Sequence, residues 1–152
     1  MRCLGILFVG FALSAGNQTP KDKQEQPPSI VGKWKVVGMI LNAREQPPEA
    51  FDQLIYVITT EEWRQYGKDL SNPPKDILLS AEKLRINESA SPSQIDVLLQ
   101  NKKVIHGIYR RSGSSHMLFF DNSGDRPVDF VSKNGAHTEL YLLERIEDKK
   151  GK

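Results

Sequence analysis

Cysteine is almost missing from this chain. Of 152 residues only Cys3 is one, and it lies inside the opening apolar run. Past that run no thiol remains to form a disulfide, attack a substrate or bind a soft metal. A globular part must then hold together by its core alone. An excess of one charge is also missing: 21 basic and 19 acidic residues leave a net +2. Nucleic-acid binding asks for a clustered basic face, and none is laid out here. The closing Lys149-Lys150-Gly151-Lys152 reads as a solvated tail. No apolar run reaches the roughly 20 residues of a membrane-crossing helix, and no long window shows helical periodicity. His106, His116 and His137 form neither an HxH nor an HExxH spacing, and no GxSxG elbow is present. Metal and nucleophilic hydrolase chemistry therefore lack their usual carriers, and no cofactor is expected.

What is there begins with a leader. Met1 to Gly16, MRCLGILFVGFALSAG, has Arg2 as a short positive region, an apolar run from Cys3 to Leu13, and small residues at Ser14, Ala15 and Gly16. That is the pattern of a secretory signal peptide. The residue after the small cluster is Asn17, not the Cys that bacterial lipidation needs. Residues 17–29, NQTPKDKQEQPPS, contain no aliphatic or aromatic side chain and read as a polar linker. One domain is expected over residues 30–146, with residues 147–152 as a charged tail.

Within that domain apolar and polar residues alternate in short blocks, each closed by Gly, Asn, Ser or Pro. The stretch from Ser93 to Arg145 shows it best. Such blocks are antiparallel strands joined by tight turns. About eight are expected: Gly32–Leu41, Leu54–Thr59, Glu62–Tyr66, Ile77–Glu88, Ile95–Leu99, Val104–Arg110, His116–Phe120 and Thr138–Arg145. A helical turn over Glu49–Gln53 and a short extra strand over Val128–Val131 are also expected. On the first strand Trp34, Val36 and Ile40 are assigned to one face, and Val37, Met39 and Leu41 to the other. Hairpins at this spacing build an all-β sandwich or an up-and-down barrel. The barrel is favoured because it leaves no apolar edge exposed.

Gly32-Lys33-Trp34 resembles the Gly-x-Trp of the first lipocalin strand. With "VGKWKVV", "IDV", "GIYR", "DRPVDF" and "LYLLER" in order, the chain is similar to a lipocalin-like domain family of unknown function expanded in planctomycete bacteria. The match spans residues 30–146 and is weakest between Trp63 and Ile77. The resemblance implies an exported bacterial barrel of about eight strands. It also implies structural roles for Gly32, Trp34 and Arg145, with the Arg145 side chain lying across the Trp34 indole at the closed end. It carries no catalytic residue.

The remaining candidates are read one by one. Trp34, Tyr56, Tyr109, Phe120 and Phe130 are the aromatics expected to face inward, either as core filling or as the lining of a ligand cavity. Asp96 interrupts an apolar strand and calls for solvent or a partner such as Arg110 or Arg126. Asp121, Asp125 and Asp129 fall in a turn-rich loop. It lacks the distal Glu of a calcium loop, and Arg126 is placed to pin it by pairing with Asp96 or Asp129. His106 and His116 lie on neighbouring predicted strands. Ser115 and His116 are adjacent on one strand and so point to opposite faces, which rules out a direct nucleophile–base pair. The functional expectation is an exported, secreted or periplasmic, non-enzymatic binding module for a small apolar ligand. The alternative is a solid barrel that serves as a structural or protein-interaction domain of the envelope.

Overall fold

A computed structural model describes residues 29–69, 75–112, 115–132 and 137–147. The predicted leader, most of the linker and the tail lie outside these residues. The chain folds as β1 (Gly32–Leu41), β2 (Arg44–Glu45), a 3-10 turn (Pro48–Ala50), β3 (Ile55–Ile58), β4 (Glu62–Asp69), β5 (Lys75–Asn87), β6 (Ser93–Leu98), β7 (Val104–Ser112), β8 (Ser115–Asp121) and β9 (Thr138–Arg145). From β3 to β9 each strand pairs antiparallel with the next, and β1 pairs with both β3 and β9. Eight strands thus close into an up-and-down, lipocalin-like barrel. β2 is a two-residue return against the end of β1.

Alternation builds the interior. Ile95 and Val97 of β6, Tyr109 of β7, Leu118 and Phe120 of β8, and Tyr141 and Leu143 of β9 are buried inside. At this strand number an interior is just wide enough for side chains to fill. One inward position carries no side chain, and that absence is needed. A Cβ at Gly107 would stand 2.5 Å from the Phe120 ring and 3.0 Å from Ile95, so the glycine makes room for the phenyl group.

β1 departs from its expected facing. Its pairing with β9 slips between Val36 and Gly38. The extra residue of this bulge shifts the alternation by one. Trp34 and Val36 point inward, and beyond the bulge Met39 is buried and Leu41 packs on the core. The assignment of Ile40 to the Trp34 face is therefore corrected to Met39 and Leu41.

One end of the barrel is closed around Trp34. Trp34 is buried, and its indole Nε1 donates to Ile30 O at 2.7 Å. The Arg145 guanidinium lies 4.7 Å from the indole centroid, and its Nη2 donates to Val31 O at 3.0 Å. Gly32, at φ +154, admits this approach, since a Cβ there would sit 3.2 Å from the guanidinium. The buried His116 ring lies 4.6 Å from the same indole, tilted to it at 60°.

Residues 122–132 form no strand, so the extra strand expected at Val128–Val131 is absent. The segment instead straps the outside of the barrel. Arg126 Nη2 donates to Asp96 Oδ1 at 2.6 Å, and its Nη1 to Gly107 O at 3.0 Å. His106 Nδ1 meets the same carboxylate at 2.9 Å. Phe130 packs on Phe119 at 6.4 Å, with Arg110 4.6 Å from its ring centroid. These contacts fix two facings and one pairing. Asp96 faces outward and is paired. Arg126 chooses Asp96 over Asp129. Phe130, expected inside, lies outside, because Phe119 offers it an apolar outer face.

Candidate functional site

The two ends of the barrel differ. The Trp34 end is plugged. Toward the other end the inward side chains of β4, β5 and β9 change from apolar to polar, and the filling stops. There a cavity of about 170 Å³ is lined by Tyr56, Trp63, Val97, Leu99, Ile105, Phe120 and Tyr141, with Gln65, Ser80, Glu82 and Glu139.

Strand register explains why these residues meet. Tyr56 is opposite Gln65, and Gln65 is opposite Ser80, across β3, β4 and β5. On β9 the alternation places Glu139 on the face of Tyr141 and Leu143. β5 has no β6 partner before Lys83, so Ser80 and Glu82 stand at an opening in the wall. The aromatic side is continuous. Ring centroids are 4.8 Å apart for Tyr56–Trp63, 5.3 Å for Trp63–Phe120 and 5.5 Å for Tyr56–Tyr141.

A polar chain runs along this wall. Tyr141 Oη donates to Glu139 Oε2 at 2.6 Å, and Asn122 Nδ2 donates to Glu139 Oε1 at 3.0 Å. Tyr56 stands edge to face beside Tyr141 on the same wall. Burial holds both phenols far above the ordinary tyrosine range. For Tyr141 the neighbouring Tyr56 and Glu139 add to the effect. Both therefore act only as protonated hydroxyls at physiological pH.

Of the five aromatics expected to face inward as core filling or cavity lining, Tyr56 and Phe120 line the cavity. Trp34 plugs the closed end. Tyr109 is buried in the core at that same end, where burial also raises its phenol. Its hydroxyl lies near Ser93 and Glu88 without meeting either at hydrogen-bond geometry. Phe130 is on the outer wall. Residues not singled out from sequence, Trp63, Gln65, Glu82, Glu139 and Tyr141, complete the site. A usable signal existed for one pair: Glu139 and Tyr141 share a face with Leu143, which puts a carboxylate on the inward side.

No protein family, curated protein or solved structure matches this chain. The site must be read from its own chemistry.

The other candidates stay apart. His106 is on the outer face of β7 and His116 on the inner face of β8, five register steps away, so they do not meet. Asp121 Oδ1 caps its own turn through Ser123 N at 2.8 Å, while Asp125 and Asp129 are exposed. Among the described residues no group of three or more His, Cys, Asp or Glu is placed to hold a metal ion. A wider depression of about 670 Å³ beside Arg64, Lys83 and Arg85 is a concave stretch of the charged outer surface, without an aromatic wall.

Proposed function

We propose that this protein is a non-enzymatic binding module that takes one small molecule into the open end of its barrel. The observation that carries the reading is the cavity of about 170 Å³ with a continuous aromatic wall and one oriented polar chain. A few fixed polar groups on an apolar surface are the usual make-up of a ligand site. Size limits the ligand. A cavity of about 150 Å³ accepts benzene, whereas drug-sized ligands occupy roughly 300–1,000 Å³. The guest is therefore about one ring in size, not a long lipid. The signal-like residues 1–16 support export to the periplasm or medium. The Gly32-Lys33-Trp34 pattern with Arg145 supports membership of the lipocalin-like planctomycete family.

Calorimetric titration of the purified protein with benzyl alcohol and with a 16-carbon fatty acid tests this. Saturable 1:1 binding of the alcohol is expected, with no saturable binding of the fatty acid. The reverse pattern would sink the reading.

A second reading has its own observation. Ile77, Leu78 and Leu79 are 47%, 50% and 56% exposed in succession, on the part of β5 that runs past β6. Such a patch suits a structural or protein-contact role in the envelope. Self-association of the wild type, abolished by Leu78→Asp, would favour it.

A further inference from the structure

Resting on the reading of the open end as a ligand site, we infer that the guest is a small organic amine. Its ammonium group would be held by Glu139, and its body would lie against Trp63, Tyr56 and Phe120. The lining contains two carboxylates, Glu82 and Glu139, and no Lys, Arg or His. Among the described residues neither carboxylate forms an ion pair; the basic side chains that do pair go to Asp76, Glu62 and Asp96. Glu139 is nevertheless oriented, with one neutral donor on each oxygen, Tyr141 and Asn122.

Each carboxylate oxygen keeps a further lone pair, so Glu139 can accept from a ligand without losing these bonds. Its negative charge is positioned but not neutralised, in a recess where water is partly displaced and electrostatic contacts strengthen. The aromatic wall points the same way. Ring faces carry negative charge density and attract a cation within about 6 Å of the centroid. Among the described residues the arginines that stack on rings, Arg145 on Trp34 and Arg110 on Phe130, do so elsewhere, so no described cation stacks on the rings of the cavity. Anions meet two carboxylates and are disfavoured. Neutral rings gain the apolar contact alone.

Three probes of one size and different charge separate these cases: benzylamine, benzyl alcohol and sodium benzoate, titrated calorimetrically into the full chain near neutral pH. Benzylamine is expected to bind at least about tenfold more tightly than the alcohol, and benzoate to bind weakest. Glu139→Gln keeps the shape and removes the charge. It should bring benzylamine close to the alcohol, a larger loss of affinity than the alcohol itself suffers. Glu82→Gln, at the opening, should weaken benzylamine in the same direction and guards against a folding defect in the first variant. If the alcohol or benzoate binds as tightly as benzylamine, or both variants leave benzylamine untouched, the amine assignment is overturned while the ligand site stands. If none of the three binds, the site itself is overturned.

Discussion

At the scale of single residues, function and stability meet in a few positions where a side chain's size or charge leaves no choice. Gly107 is one. A Cβ there would overlap the Phe120 ring, and overpacking of a core commonly costs about 1–3 kcal/mol. Gly107→Ala should lower the urea midpoint accordingly; an unchanged midpoint would mean that Phe120 has room to move. Ala43 is the opposite case. Asn42 and Ala43 form the two-residue loop between β1 and β2, at φ 53 and 62. A two-residue hairpin of this kind wants φ > 0 at both positions, which an alanine adopts at a cost of about 1 kcal/mol. Ala43→Gly should therefore raise the melting temperature, and a fall would contradict the strained backbone.

The buried phenols give the molecule an alkaline limit, and its sign follows from linkage. Tyr56, Tyr109 and Tyr141 are all raised above the ordinary value by burial. In the unfolded chain they lose protons near pH 10. Below that pH both states are protonated and the contribution to stability is complete. Above it the unfolded state binds fewer protons, so stability falls as pH rises. Tyr141→Phe removes one such proton. It should reduce the alkaline slope of unfolding free energy by about 1.4 kcal/mol per pH unit, measured by urea titrations above pH 10. An unaltered slope would show that the Tyr141 hydroxyl is not held protonated by the fold.

At the scale of elements, the segment 122–132 is a strap held at its ends by Asn122 on Glu139 and by Ser132 on Ala43 N, and in its middle by Arg126. That side chain joins Asp96 on β6 to Gly107 O on β7, with Phe130 on Phe119 as the second hold. Arg126→Ala should loosen the strap without opening the barrel. Amide hydrogen exchange should then speed up over residues 122–131 while β6 to β8 stay protected. Protection retained in the strap would mean that Phe130 and the end contacts at Asn122 and Ser132 suffice.

The elements also show what could be read in advance. The strand blocks were legible because period-two alternation and turn residues are local signals. The facing of β1 beyond Val36 was not, because a bulge depends on how β9 pairs with it. Phe130 was misplaced for a related reason: Phe119 and Phe120 are consecutive aromatics, and one must point out and create an apolar outer face. Nothing near Phe130 in sequence announces it. The site was half legible. Tyr56 and Phe120 stood out as aromatics on strands. Glu82 did not stand out, since only the closed register of eight strands turns it inward.

At the scale of the whole molecule, the barrel is an asymmetric container. One end is stoppered by Trp34, Arg145 and His116, and the other is hollow and acidic, with an aromatic wall. That division predicts where a guest must be felt. The most direct measurement is a two-dimensional amide and indole NMR titration with benzylamine. The account predicts saturable shifts at Tyr56, Trp63, Phe120, Glu139 and Tyr141, including the Trp63 indole, with the Trp34 indole unmoved. Saturable shifts centred on Trp34, or none at the hollow end, would contradict it.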